Sequence, residues 1–259
     1  MKTTYSILIV ALLSSVIFLE GCKHRYKVIK SNSKNEVVQT DFSTQDSLYG
    51  LVEPYKNQLE NRMSEVINSS LIDMEIGVPE GLLGDFVADL VLPSSRLKYA
   101  NQVDFCLLNN GGLRTPIMKG DVTRGMIYEL MPFENELVVV TLGGEKVAEL
   151  INYVAQKTFN ATNAKSGVPV SGIRIRLGNG EVTDVMIGIK QFDPNKEYTV
   201  VTSDYLSQGG DDMTFFLDPI KTEGLDVKLR DVILEHVINL GKKEIKLNAA
   251  LDGRVYIAE

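Results

Sequence analysis

From Ser47 onward the sequence predicts an α+β fold, on three observations. Helical apolar spacings and short β-like runs share the chain without strict β-α alternation. Two of the β-like runs are neighbours joined by Gly178-Asn179-Gly180, a hairpin signal. Neither an internal repeat nor a low-complexity linker divides Ser47 from Glu259, so 47–259 reads as one domain.

The elements follow in order. Leu48, Leu51, Val52, Tyr55 and Leu59 fall on one face of a helix, and Val66–Ile67 marks a strand. Phe86, Val87, Leu90 and Val91 share a face in a helix read over Gly84–Ala100, followed by the apolar, β-like Val103–Leu108. Thr123 starts a helix that ends near Met131-Pro132, because proline disfavours helix in the residue before it. Leu137–Leu142 is β-branched and reads as a strand; Gly143-Gly144 breaks it, and Val147, Leu150, Ile151 and Val154 mark the next helix. In Val170–Leu177 the apolar Ile173, Ile175 and Leu177 alternate with Arg174 and Arg176, and Val182–Ile187 returns after the turn. Asp193-Pro194-Asn195 turns the chain into a strand at Tyr198–Thr202. Leu225–Leu240 carries Val227, Val232, Leu234, Val237 and Ile238 in a mainly helical pattern, and Arg254–Ile257 is placed to close the sheet.

The first 46 residues have a different character. Lys2 precedes an apolar stretch from Ile7 to Leu19, too short for a bilayer that needs about 20 residues, and 1–21 reads as a signal peptide. Leu19-Glu20-Gly21-Cys22 resembles a bacterial lipobox, which makes Cys22 the acylated N-terminus of the mature chain. Acyl chains, at about 0.8 kcal/mol per buried methylene, would hold the protein on a membrane it does not span. The expected location is the cell envelope, at the outer membrane facing the periplasm. Residues 22–46 are polar and carry no apolar period, as a flexible tether would.

Composition narrows the chemistry. The chain is 44% hydrophobic and 24% charged, as globular proteins are. Its 27 Lys+Arg against 34 Asp+Glu leave no basic surplus for a nucleic-acid polymer. Cys106 lies inside an apolar run and reads as a buried hydrophobe. Only His24 and His236 are present, one of them in the tether, which excludes a multi-histidine metal centre. His236 reads as a partly buried structural residue.

Three polar, glycine-bearing segments each follow an apolar run: Asn109-Asn110-Gly111-Gly112-Leu113-Arg114, Met131-Pro132-Phe133-Glu134-Asn135 and Tyr205-Leu206-Ser207-Gln208-Gly209-Gly210-Asp211-Asp212. Loops at strand ends are where sites concentrate. Paired glycines allow close backbone approach, arginine and aspartate offer directed hydrogen bonds, and aromatic rings offer flat faces. Such a set suits a ribose and a base.

In this order and at these separations the segments resemble the C-terminal domain of the bacterial 5'-nucleotidase/UDP-sugar hydrolase family and its animal ecto-5'-nucleotidase relatives. Asn109-x-Gly-Gly-Leu-Arg114 is similar to that family's Asn-Gly-Gly-Gly-Ile-Arg, Pro132-Phe133-x-Asn135 to its Pro-Phe-x-Asn, and Tyr205-Leu206-x-x-Gly209-Gly210-Asp211 to its Phe-Leu-x-x-Gly-Gly-Asp. Gly84-Asp85-Phe86 resembles its Gly-Asn-Leu helix start. The resemblance implies a single mixed α/β sandwich domain that binds the nucleoside part of a nucleotide. Phe133 and Tyr205 would sandwich the base, Asn109 and Arg114 would contact the ligand, and Asp211 would hold the ribose. Gly111, Gly112, Gly209 and Gly210 would shape the backbone around it.

Two departures stand out. Val78-Pro79-Glu80-Gly81 lacks the arginine that family members often carry there, and Asp85 replaces an asparagine. The family's N-terminal domain, which holds two metal ions and hydrolyses the phosphate ester, has no counterpart upstream of Ser47. The expectation is therefore a substrate-binding part of a split 5'-nucleotidase, without catalytic or metal-binding residues of its own. Divalent metals would reside in a separate metallophosphoesterase chain. The alternative is a free-standing lipoprotein that captures nucleosides or nucleotide sugars.

Overall fold

Alternation along three central strands builds the core. In β4 (Glu136–Gly143), Leu137 and Val139 enter one apolar cluster while Val138 and Val140 enter another. In β9 (Glu197–Ser203), Val201 and Val200 divide the same way, as do Cys106 against Phe105 and Leu107 in β2 (Phe105–Leu107). A sheet buried on both faces needs a layer on each side. One layer contains helix α2 (Leu82–Lys98) and a C-terminal helix, Leu229–Lys242, whose Val232, Ile233 and Val237 meet Phe86, Val87 and Leu90. The opposite layer contains helix α4 (Gly144–Phe159) and a second sheet.

The computed structural model describes residues 47–258; the segments read as a signal peptide (1–21) and a tether (22–46), with Cys22, lie outside the described residues. From Gly50 the chain forms one compact unit. It opens on helix α1 (Ser47–Met63), whose Leu51, Val52, Tyr55 and Leu59 are exposed. Strand β1 (Val66–Ser70) pairs antiparallel with β3 (Gly120–Thr123), and Thr123 caps α3 (Arg124–Leu130) by accepting from Met126 N at 3.3 Å. The five-stranded sheet runs β10-β4-β9-β2-β5, with β5 at Val170–Ser171 and β10 at Lys221–Lys228. The second sheet runs β11-β6-β7-β8, with β6 at Ile173–Gly178, β7 at Glu181–Ile187, β8 at Lys190–Gln191 and β11 at Val255–Ile257. Asn179 and Gly180 both have positive φ, as a tight two-residue hairpin requires. Helix α5 is the short Asp204–Ser207, and α6 is the helix Leu229–Lys242. Among the described residues no helix is long and apolar enough to cross a membrane. The mixed α/β sandwich is the fold class read from the sequence.

Two segments differ from the sequence reading. Val170–Leu177 is not one strand: Gly172, at φ +83°, bends the chain so that β5 joins the five-stranded sheet and β6 the other. A Cβ there would sit 2.7 Å from the Asp104 carbonyl oxygen. Gly172→Ala is expected to cost at least about 2 kcal/mol, from left-handed backbone strain and this clash together, or about 4–8 °C in a thermal melt. An unchanged melting temperature would show that the bend relaxes freely. The other difference is at Leu225–Leu240, where the helix starts only at Leu229; Leu225 and Val227 belong to β10, on alternating half-buried positions.

Arg254, 6% exposed, fastens the C-terminal strand to α2. Its guanidinium donates to both carboxylate oxygens of Asp89 at 2.8 and 2.9 Å, to Asp252 at 2.9 Å and to the Val170 carbonyl at 3.0 Å. Asp85 lies 3.6 Å from it, 2% exposed, with one oxygen lacking any hydrogen-bond partner. Glu80 accepts from Val255 N at 2.8 Å and Gly253 N at 3.3 Å, so the two departures from the family pattern both serve this junction.

Burial pushes the Asp85 carboxyl up to about 7, against the pull of Arg254, with the charges of Glu80, Asp89 and Asp252 adding to the rise. An unfolded aspartate releases its proton near pH ~3.9, so between about pH 4 and 7 the folded chain holds the extra proton. Stability from this group is fully present below that window and is lost as pH rises through it. Asp85→Asn is expected to flatten the decline of melting temperature between pH 5 and 8, an effect on the order of 3 kcal/mol over that range. An identical slope in the variant would assign the decline to other groups.

Candidate functional site

Strand direction gathers the three glycine-bearing segments. β2 and β9 are parallel, so both end at the same edge, and β4 is antiparallel to β9, so it begins there. Asn109 follows β2, Phe133 and Asn135 precede β4, and Tyr205 follows β9. At this edge Asn109, Gly111, Gly112, Arg114, Phe133, Asn135, Tyr205 and Asp211 line a cavity of about 420 Å³. Phe133 and Tyr205 are 41% and 47% exposed, large rings left open on the cavity wall instead of packed in the core.

Asp211 is the hub. Its Oδ1 accepts from the Tyr205 hydroxyl at 2.9 Å and its Oδ2 from Asn109 Nδ2 at 2.6 Å. Its backbone N–H donates to the Tyr205 oxygen at 3.3 Å, and its carbonyl accepts from the Tyr153 hydroxyl at 2.7 Å. These contacts hold it at φ +54°. A carboxylate offers about four lone-pair sites, so two remain for a ligand's hydroxyls. The hydrogen bond to the Asp211 carboxylate, and then its charge, push the Tyr205 phenol up.

Gly209 and Gly210 do not line the cavity. Gly209, at φ +86°, ends α5 and donates to the Leu206 carbonyl at 3.0 Å. A Cβ on Gly210 would lie 2.6 Å from the Tyr205 ring, so glycine there lets the ring rest against the backbone. Arg114 is exposed, its guanidinium carbon 6.0 Å from the Phe133 centroid and its Nη1 donating to the Gly111 carbonyl at 3.3 Å.

The loop carrying Phe133 is anchored from α6. Arg230 donates to the carbonyls of Met131 and Pro132 at 3.5 and 3.4 Å, and with Lys228 it holds the Glu134 carboxylate. Hydrogen bonds from Lys228 and then Arg230 lower the Glu134 carboxyl to about 2. Asp204 Oδ1 bridges the neighbouring loops by accepting from Glu136 N at 3.2 Å and Tyr205 N at 2.8 Å.

Asn135 and Tyr153 complete the site beyond the residues singled out from the sequence. Asn135 stood in the quoted Pro-Phe-x-Asn segment; Tyr153 had no signal, being one residue on a helix recognised by its apolar face. His236 is half-buried with its ring edge-on to Phe86 at 5.9 Å, and burial lowers its pKa. Cys106 is buried. Among the described residues no group of three or more His, Cys, Asp or Glu is placed to hold a metal ion.

Residues 64–218, which include every residue lining this cavity, match the family described as 5'-nucleotidase, C-terminal domain. The chain belongs to that family. Among full-length relatives it is 27% identical over 220 residues to the trifunctional nucleotide phosphoesterase protein YfkN of Bacillus subtilis, covering 79% of this chain and 14% of that protein. It is 24% identical to the 5'-nucleotidase of Vibrio parahaemolyticus, covering 71% of this chain and 32% of the enzyme. The chain thus matches about a third or less of these relatives' length. The crystal structure of a 5'-nucleotidase precursor from Thermus thermophilus shares the fold at TM-score 0.67 and 22% identity, over 80% of this chain and 42% of that one. The Haemophilus influenzae NAD nucleotidase does so at 0.62 and 19%, over 82% and 41%.

Proposed function

We propose that this 5'-nucleotidase C-terminal domain chain binds the nucleoside part of a nucleotide and presents its phosphate ester to a separate metallophosphoesterase chain. The observation that carries the reading is the cavity itself, where two open aromatic faces stand beside an oriented amide, a carboxylate with free lone pairs and an arginine. Apolar faces with a few directed polar groups are what a base and a sugar require. The work of this chain is binding and orientation: the rings fix the base plane, and Asn109 and Asp211 fix the sugar. Hydrolysis needs metal-activated water, which the partner's divalent ions would supply. Residues 47–259 contain one histidine, His236, and it points to Phe86. The lipid on Cys22 would keep both chains at the outer membrane, facing the periplasm.

The test has two arms. Calorimetry with adenosine, guanosine and uridine is expected to show binding near the micromolar range. Phosphate release from adenosine 5'-monophosphate with Mn²⁺ or Zn²⁺ is expected only after a metallophosphoesterase chain is added. Brisk hydrolysis by the pure chain would refute the division of labour, and absence of nucleoside binding would refute the binding role.

A further inference from the structure

Among the described residues Leu51, Val52, Tyr55 and Leu59 of α1 belong to neither apolar cluster and are 68%, 57%, 73% and 55% exposed. The helix is fastened to the body at its C-terminal end, where a Cβ on Gly125 would lie 3.0 Å from the Met63 carbonyl oxygen and Arg124 pairs with Glu65 at 2.6 Å. It has 17 residues, with Gly50 and Pro54 inside, and so little helical stability of its own. An isolated helix of this length is marginal in water and draws most of its stability from covering its apolar face. That face needs a surface to lie on.

The charges around α1 point to the kind of surface. At about 100° per residue the four apolar positions fall within an arc of about 100°, from Leu51 to Val52. Arg62 falls inside that arc, and Lys56 about 40° beyond Val52. Glu60 and Glu53 fall about 80° and 100° beyond Val52, turned away from the arc. Lys56 comes within 3.7 Å of Glu60, both side chains being exposed. Basic residues beside an apolar stripe bury their stems and lift their charges, which suits a lipid interface with anionic headgroups. The core of a protein–protein interface is instead depleted of charge.

We propose that α1 lies in an anionic lipid surface, with this arc seated below the headgroups. The inference rests on the reading of Cys22 as an acylated N-terminus and is independent of the nucleoside site. Cys22 stands 25 residues before Ser47, a length that spans at most about 85 Å, so an anchor there keeps α1 within reach of the bilayer that holds it. Docking is then intramolecular, and a short apolar arc suffices where a free helix would need more. Residues 23–34 add attraction: Lys23, Arg25, Lys27, Lys30 and Lys34 stand there without an Asp or Glu, in a chain of net charge −7. Basic runs beside an anchor are drawn to acidic headgroups. Because α1 is fastened to the body at Met63, a seated helix sets the body's orientation over the membrane instead of leaving it to the tether.

The chain has no tryptophan, so Tyr55→Trp makes the arc its own fluorescent reporter and Glu53→Trp reports on the far face. Each full chain is isolated from membranes, its acylation at Cys22 measured by mass spectrometry, and reconstituted on vesicles of phosphatidylethanolamine and phosphatidylglycerol. Tyr55→Trp is expected to emit at shorter wavelength than Glu53→Trp and to be quenched several-fold more strongly by lipids brominated near the headgroup. Adding Leu51→Ser and Leu59→Ser is expected to bring both readings to the far-face values, while the acylated chain stays on the vesicles and its adenosine affinity is unchanged. Equal emission and quenching of the two reporters on an acylated, vesicle-bound chain would overturn this inference alone. Blue-shifted Tyr55→Trp emission without quenching by brominated lipid would give the arc to a protein surface and overturn it as well. A chain that carries no acyl group sinks the anchor reading and this inference with it.

Discussion

Phe133→Ala and Tyr205→Ala are each expected to weaken nucleoside binding by about 5- to 150-fold, the range that follows from stacking worth about 1–3 kcal/mol per base. Both rings are more than a third exposed, so their removal leaves few core contacts unmade; Phe133→Ala is expected to stay within about 0.5 kcal/mol in stability, while Tyr205→Ala also loses the hydroxyl's contacts with Asp211, about 0.5–1.5 kcal/mol. Calorimetry beside a thermal melt separates the two effects: in Phe133→Ala affinity falls and the melting temperature holds. Tyr205→Phe refines the test, because it keeps the ring and loses only the hydroxyl that donates to Asp211. A loss of about two- to tenfold is expected there, as for one hydrogen bond of ~0.5–1.5 kcal/mol. Unchanged affinity in both alanine variants would mean that the open rings serve something other than a base.

Arg254→Met is expected to cost about 3–5 kcal/mol at pH 8, the largest stability effect of any single change considered. Removing one partner of a buried ion pair leaves the other uncompensated. Here Asp85 would lose its nearest cation, and the Val170 carbonyl would lose a donor. The sign of the pH dependence follows from Asp85. Without Arg254 its proton is held still more firmly, so the damage is smallest at acid pH, where the carboxyl is neutral in both proteins, and grows toward alkaline pH. Combining Arg254→Met with Asp85→Asn is expected to recover part of the loss at pH 8. Denaturant titrations at pH 5 and 8 give both numbers; a loss of equal size at the two pH values would separate Asp85 from the effect.

The layers were legible in the sequence because each has a strong period. Phe86, Val87, Leu90 and Val91 can face only one way on a helix, and the Ile173–Leu177 alternation only one way on a strand. The break at Gly172 was hidden for a physical reason: a positive φ changes where a strand goes without changing the apolar pattern on either side of it. Leu225 and Val227 misled because their spacing continues smoothly into Val232, while the switch from a period of two to one of 3.6 falls between Lys228 and Leu229. At the candidate site, the glycine-bearing loops announced themselves through composition. Their convergence on one edge depended on β2 running parallel to β9, a long-range pairing that spacing does not encode.

The side chain of Asp211 and both its flanking peptide groups are already restrained by Asn109, Tyr205 and Tyr153 before any proposed ligand docks. Little disorder remains to be removed at the moment of capture, so the entropic penalty of docking is small and the encounter is close to that of rigid bodies. Association should accordingly follow a single exponential whose rate rises linearly with ligand concentration, with no slow isomerisation phase behind it.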